Sequence, residues 1–551
     1  MKQHVSGHSN FDVIVIGAGV NGIGIARDAA IRGLRVLLVE QSDLCSGVSA
    51  WSGRLIHGGL RYLEQYDFRL VRESLLERED LFRTAAHLVK PVPLMMPLYR
   101  EGDRPWWLIE LGMITYDILS WRKTPPFHRF LGRKKTLERF PGIDSEGLRG
   151  SVVFYDGQVE YAERLCVELA IDAQRNGASI LTHTSVSGII VGDDGVEGVE
   201  TVNHLSGRSE FFRGSVVLNA AGPWIDRIFD HDGIESQPRL NGGTKGSHLV
   251  VGPFAGAPSD VVYYESPIDS RLVLIIPWMG RYLIGTTDIR FEGDPDDARC
   301  DIGEVDYLLD AVNRLIPSAR LTFSDVLFTY SGIRPLPFVP DKAESSIQRS
   351  HSLFDHSASG LPGVVTVVGG KLTTFRQLAE DAVDDAQRRL GHRVTTSSTR
   401  GRLLPGYMYD DKSVKSSLVS AGAANLTAQR LVDLYGSRAV DVWELAIHNS
   451  ELRECVHPAT GAIMAEAHFA VDNEFALTLT DVLARRMLLA FEPDHGVDAI
   501  EPVLGALARH MGWGEDRVNS ERVEYLAWLD HLALPNPTGP RSVSFGAGVP
   551  K

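Results

Sequence analysis

"FDVIVIGAGVNGIGIARDAAIRGLRVLLVE" (residues 11–40) sets a strand, a glycine turn, a helix and a second strand in thirty positions. The apolar run 13–16 reads as a buried strand, residues 20–32 carry helical periodicity, and 36–39 form a second strand ending in Glu40. Gly17 permits the tight turn, Gly19 lets the backbone approach a pyrophosphate, and Gly22 lets helix and strand pack closely. The helix N-terminus adds partial positive charge for the phosphates. Glu40 falls where a carboxylate accepts hydrogen bonds from a ribose diol. A GxGxxG string alone is common, whereas the full order of strand, turn, helix, strand and acid predicts a Rossmann-type dinucleotide domain in an α/β chain.

The rest of the composition narrows what surrounds that domain. At 551 residues the chain is too long for one core, and its 44% hydrophobic content suffices to bury two or three. A net charge of -15 argues against nucleic acid as a partner, because a polyanion requires a broad basic face. Cationic sites are therefore local. Cys45, Cys166, Cys300 and Cys455 show no CxxC spacing, so neither a disulfide framework nor a metal site is expected, and a reducing cytoplasm is. Residues 1–10 contain no apolar signal core, and no window reaches the ~18 apolar residues of a spanning helix.

Two later stretches distinguish between cofactors. "VVLNAAGPWID" (216–226) and "GVVTVVGGKLTTFRQLAE" (363–380) are both strand-to-turn elements, and the second also begins a helix. Backbone N–H groups of 369–374 are then available to an electron-rich ring edge. No second GxGxxG with a helix and an acid follows, which predicts one FAD and no separate nicotinamide domain.

Here the motifs carry a resemblance. "GAGVNGIGIARDAAIRG", "LIHGGLRYLEQYDFRLV", "KGSHLVV", "IIPWMGRYLIGTTD", "TYSGIRPL" and "VVGGKLTTFR" resemble, in order and spacing, the FAD-dependent glycerol-3-phosphate dehydrogenases over roughly residues 11–380. The resemblance implies a glutathione-reductase-like FAD domain interleaved with an antiparallel-sheet substrate domain, and a helical cap. It places FAD contacts at Gly17, Gly19, Gly22, Glu40, Gly58, Gly59, Ala221, Gly222, Gly370, Leu372 and Thr373, and a substrate pocket at Arg61, Tyr62, His248, Arg334, Arg349 and Lys371. The implied reaction oxidises sn-glycerol 3-phosphate to dihydroxyacetone phosphate, passing electrons to quinone at a membrane surface. The chain departs from the family in "SAWSGRLIHGG", where Trp51, Gly53 and Arg54 replace expected residues, and in "NAAG" (219–222), which lacks a hydroxyl.

The chemistry of the residues agrees. A phosphomonoester carries nearly two negative charges and requires several cationic donors in a partly dry pocket. Lys371 is informative because a cation at a helix N-terminus opposes the dipole, so an anion is expected to compensate. A secondary alcohol must lose the C2 hydride to flavin N5 and its hydroxyl proton to a base. His248 is the base by intrinsic pKa, with Arg334 and Lys371 beside it as catalytic electrostatic support. Arg61 has the alternative of pairing with Glu64 or Glu73, and Arg349 that of simple solvation. Gly58 and Gly59 are expected to run beneath the flavin, with a helix from Arg61 presenting Arg61 and Tyr62 to the substrate.

Segment 99–135 combines Trp106, Trp107 and Trp121 with aliphatic residues and a basic tail, which suits an anionic membrane interface as well as it suits a core helix. The expected organisation is an FAD domain from 1–90, 150–240 and 340–390, a substrate domain from 91–149 and 241–339, and a helical domain from 391 with a Gly/Pro/Ser-rich tail, serving dimer contacts or capping. The expected partners are sn-glycerol 3-phosphate, quinone, the inner face of the cytoplasmic membrane and a second copy in a homodimer. Competing readings are an oxidase that uses oxygen, a relative acting on another phosphorylated or carboxylated substrate, and a flavin-binding protein without turnover.

Overall fold

The computed structural model describes residues 10–63, 67–100, 105–121, 123–193, 195–230, 237–267, 269–340, 347 and 350–541, with the Arg61 side chain outside the description. Strand Asn10–Ile16 lies between two parallel partners, Val36–Val39 and Ser209–Asn219. Val364–Val368 and Ser179–Leu181 extend the parallel block on either side. Both faces of the block are covered. Val13 and Val15 pack with helices Val20–Ile31, Ala162–Arg175 and Phe375–Arg389, while Ile14 and Ile16 enter a second cluster with Ile189, Val199 and Phe212. A strand buried on both sides loses its polar alternation, which explains the continuous apolar run in the sequence.

A second, ten-stranded sheet forms the other lobe, and all but one of its described pairings are antiparallel. Leu55–Ile56 and residues 150–159 of strand Leu148–Val159, which the sequence division gives to the cofactor domain, belong to this sheet. Alternation orients it. Along Thr244–Val251, Leu249 and Val251 pack beneath helix Ile302–Leu315, and Val250 faces the opposite core. His248 shares the side of Val250. In the neighbouring strand Val326–Arg334, Phe328 and Tyr330 lie on that same side, so Arg334 follows them by period two.

The C-terminal region carries helices Asp411–Ser420, Asn425–Tyr435, Ala439–His448, Met464–Asn473, Ile500–Met511 and Glu515–Trp528. One short hairpin, Cys455–His457 with Ala462–Ile463, departs from the all-helical expectation. "LTDVLARRMLLAF" folds as a wide turn at Asp481–Arg486 and a 3-10 turn at Leu489–Phe491 in place of a regular helix. Arg485 and Arg486 both reach Asp43 of the dinucleotide domain, at 2.6 and 2.7 Å. Arg164 grips Glu474 through two bonds of 2.5 and 2.7 Å, and Arg438 joins Glu168 and Glu474. These charges are buried, so removal of one partner would leave the other uncompensated. The ion pairs therefore hold the C-terminal domain against the cofactor domain.

Candidate active site

A cavity of about 1520 Å3 runs between the two sheets and the C-terminal region. Its first end is the dinucleotide turn. Gly17 has φ +99°, and a Cβ on Gly22 would lie 1.8 Å from the Gly17 carbonyl oxygen, so only glycine lets helix and turn meet. The helix begins after Gly19 with no side-chain cap, leaving backbone N–H groups of its first turn open to a ligand. Val20 N–H donates to Ser49 Oγ at 3.0 Å. Glu40 lines the cavity, and its carboxylate accepts from the Ala18 and Ser42 N–H groups at 2.6 and 2.9 Å. Burial raises the Glu40 carboxyl above its ordinary pKa, and these two bonds oppose that shift.

The middle of the cavity is backbone and small side chains. Ala221, Gly222, Gly370, Leu372 and Thr373 all line it, as do Gly17, Gly19 and Gly59. His57 N–H donates to Thr373 Oγ1 at 3.2 Å and so fastens the two turns together. Helix Phe375–Arg389 starts just beyond, again without a side-chain cap. Gly58 turns the other way. Its N–H donates to Tyr116 Oη and to Asp156 at 3.0 and 3.2 Å, and an added Cβ would meet Tyr116 and Leu75. Of the pair, Gly59 lines the cavity and Gly58 does not.

The far end gathers the charged side chains. His248, Arg334, Lys371 and Tyr62 come from four separate segments and line this one cavity. Arg334 donates to Asp288 at 2.8 Å, to Thr286 Oγ1 at 3.1 Å and to the Thr287 carbonyl at 3.1 Å. Lys371 donates to Ser74 Oγ at 2.8 Å, and its ammonium sits 4.3 Å from the centre of the Tyr62 ring. Glu73 is close enough to Lys371 to feel its charge. The compensation expected for a cation at this helix start thus comes in part from the protein.

His248 departs from the intrinsic-pKa reading. Burial is the largest influence and the charges of Arg334 and Arg54 add to it, pushing its pKa down to about 3. The imidazole is neutral at pH 7. Its ring lies 4.9 Å from that of Tyr330, and buried Nδ1 has no hydrogen-bond partner among the described residues. Arg54, one of the departures in the sequence, is wholly buried and holds Glu163 through bonds of 2.5 and 2.8 Å.

Residues 12–376 match the family model for FAD dependent oxidoreductase, and 397–518 match the C-terminal domain of alpha-glycerophosphate oxidase. A glycerol-3-phosphate dehydrogenase from Synechocystis is 42% identical over 96% of this chain and 97% of its own length. The chain belongs to the FAD-dependent glycerol-3-phosphate dehydrogenase family. A D-erythritol 1-phosphate dehydrogenase from Brucella abortus is 38% identical over 86% of this chain and 93% of its own. The solved glycerol-3-phosphate dehydrogenase from Bacillus halodurans, complexed with FAD, superposes with a TM-score of 0.78 at 26% identity, covering 97% of each chain. As an FAD-dependent oxidoreductase, the chain supplies a cradle that fits its cofactor: a glycine turn no Cβ can enter, two uncapped helix starts and the Glu40 carboxylate.

Two expected features of this family member differ in place. The helix after the double glycine begins at Phe68, capped by the Asp67 side chain on Leu70 N–H at 3.0 Å. Tyr62 sits instead in a 3-10 turn, Leu60–Leu63. The Arg61 side chain and Arg349 lie outside the described residues. Missed by the sequence reading are Asp288, which fixes Arg334, and Arg271 and Asp269 on the cavity wall. Asp288 closes the quoted stretch "IIPWMGRYLIGTTD", but its partner Arg334 lies 46 residues further on, and Asp269 and Arg271 fall in the connection between strands Val261–Glu265 and Leu272–Trp278, where no quoted motif runs.

Proposed function

We propose that the protein oxidises the secondary alcohol of sn-glycerol 3-phosphate to the ketone of dihydroxyacetone phosphate and passes the electrons to a membrane quinone. The observation that carries this reading is the convergence of Lys371, Arg334, Tyr62 and His248 on a cavity continuous with the dinucleotide turn. A dianionic phosphate and an alcohol need that set of groups. FAD, when bound, supplies the two-electron acceptor. Lys371, positioned by Ser74 and Tyr62, holds the phosphate together with the resemblance-assigned Arg61 and Arg349. Arg334, held by Asp288 and Thr286, stabilises negative charge developing on the alcohol oxygen. His248, neutral at pH 7, is the assigned acceptor of the hydroxyl proton; burial and Arg334 make it a weak base in the empty pocket, so the transfer depends on the negative charge of the bound phosphate ester to raise its basicity.

Quinone is supported by the helix Trp106–Leu119. Trp106, Trp107, Leu111 and Ile118 are 55–62% exposed, and Trp121 beyond it 70%, with exposed Arg129, Arg133, Lys134 and Lys135 following. No described helix is long and apolar enough to cross a membrane. Such a face suits peripheral seating on an anionic leaflet at the inner side of the cytoplasmic membrane. Its buried residue Tyr116 accepts from Gly58 N–H, so the seat adjoins the cofactor cavity. A longer polyol phosphate is a second reading, favoured by the 38% identity to the D-erythritol 1-phosphate dehydrogenase and by Arg271 and Asp269 on the cavity wall.

Anaerobic mixing of holoenzyme with sn-glycerol 3-phosphate, erythritol 1-phosphate, glycerol and a 2-hydroxy acid tests the assignment through loss of the visible flavin absorbance. Rapid bleaching by glycerol phosphate is expected. Faster bleaching by erythritol phosphate would move the substrate to the second reading, and no bleaching by either ester would overturn both. Reoxidation by quinone in vesicles against reoxidation by oxygen then separates dehydrogenase from oxidase.

A further inference from the structure

The cavity has a wall supplied from beyond the two family matches, which end at residue 518. Trp528 and His531 line the cavity, and both pack on Trp51, one of the residues where the loop departs from the family pattern. The Trp51 and Trp528 rings are stacked at 5.8 Å with planes 27° apart, and the His531 ring lies parallel to Trp51, within 1°, at 6.1 Å. Trp528 and His531 also stack on each other at 5.9 Å.

The position of this cluster along the cavity is set by its chain neighbours. Two residues before Trp51, Ser49 accepts from the first turn of the dinucleotide helix. Two residues after it, Gly53 abuts His248, whose Nε2 would lie 3.6 Å from a Cβ there. Trp51 therefore stands between the phosphate end and the alcohol end. The segment that covers it is anchored at both sides. Tyr525 Oη donates to the His495 carbonyl at 2.6 Å, and the carbonyls of Leu532 and Ala533 accept from Thr329 N–H and Oγ1 at 3.1 and 2.8 Å. Thr329 is in the strand that ends in Arg334.

We propose that segment 525–533 is part of the FAD site: Trp528 and His531, stacked through Trp51, close the cavity over the cofactor and hold it by aromatic contact. Flat rings bury large area at low entropic cost and exclude water from the hydrogen bonds behind them. The inference rests on the cofactor, not on the substrate assignment, and its test needs no substrate.

The test follows FAD release from the holoenzyme by the rise of flavin fluorescence on dilution, with the unfolding midpoint of the apoprotein measured alongside. Trp51→Leu and Trp528→Leu are each expected to speed release roughly tenfold at an unchanged apoprotein midpoint. The double variant should release FAD less than a hundredfold faster, because the two rings act as one stack. Val523→Ser, on the exposed face of the same helix, should release FAD as the parent does. An unchanged release rate in Trp528→Leu overturns the proposal, including the case where only the acceptor's KM rises, which would reassign the wall to the acceptor. Faster release accompanied by a lower apoprotein midpoint also overturns it, since that is general destabilisation. If either leucine variant fails to fold, the Trp→Phe variants replace it under the same criteria.

Discussion

The dinucleotide turn and the charged end of the cavity offer an anion opposite kinds of partner. At the turn the groups are backbone N–H donors, and side chains matter by their absence: Gly17 and Gly22 are there because nothing larger fits. At the charged end the groups are side chains drawn from four segments between Tyr62 and Lys371, with Arg334 held by Asp288 and Lys371 by Ser74. A backbone site is contiguous and tolerates no added volume. A side-chain site is dispersed and fails one group at a time.

Substitutions can break this contrast, beginning with the most severe. Gly22→Val places carbon against a backbone carbonyl that cannot yield, and overpacking of this kind costs about 1–3 kcal/mol or more. The purified variant is expected to be colourless, with a lower unfolding midpoint. A yellow protein of parental stability would show that the turn can rearrange. Lys371→Met is expected to keep FAD and lose kcat/KM for the phosphorylated substrate by roughly 10²–10³, as for removal of one buried charge partner. Loss of FAD along with activity would mean that the two ends are one unit.

Smaller effects test the periphery. Trp107→Ser and Trp121→Ser should each weaken binding to anionic phospholipid vesicles roughly tenfold, about 1.5 kcal/mol of lost burial, with dye-linked turnover in solution unchanged. Equal flotation of parent and variants would remove the membrane seat from this helix. The smallest effect is electrostatic. The His248 pKa is depressed to about 3 in the folded chain, so below the ordinary imidazole pKa the unfolded chain binds a proton that the folded one refuses. Stability therefore falls as pH drops, by about 1 kcal/mol between pH 7 and pH 5.5 for this group. Denaturant unfolding should show that His248→Asn flattens the slope by that amount, and an unaltered slope would mean that His248 is protonated in the native state.

The same contrast governs what was legible beforehand. The Rossmann unit was readable because thirty adjacent residues hold its strands, its turn and its acid. His248, Arg334 and Lys371 were readable through the family resemblance, and they do meet in one cavity. Gly58, expected beside the flavin, does not line the cavity, and its N–H is taken by Tyr116 and Asp156, which lie 58 and 98 residues away. The helix expected at Arg61 begins at Phe68 because Asp67 supplies the cap, while Leu60–Leu63 form a separate turn. His248 was expected to be an ordinary base, and its neighbours Arg334 and Arg54 are remote in sequence.

Composition and motif order were enough for the α/β class, the dinucleotide turn, an FAD site and the helical texture after residue 390, because each depends on local periodicity or on a few adjacent backbone conformations. The protonation of His248, the partners of Arg334 and Lys371, and the Trp51, Trp528 and His531 wall came from packing. Desolvation and Coulomb interactions act through space, between groups that the chain order keeps far apart.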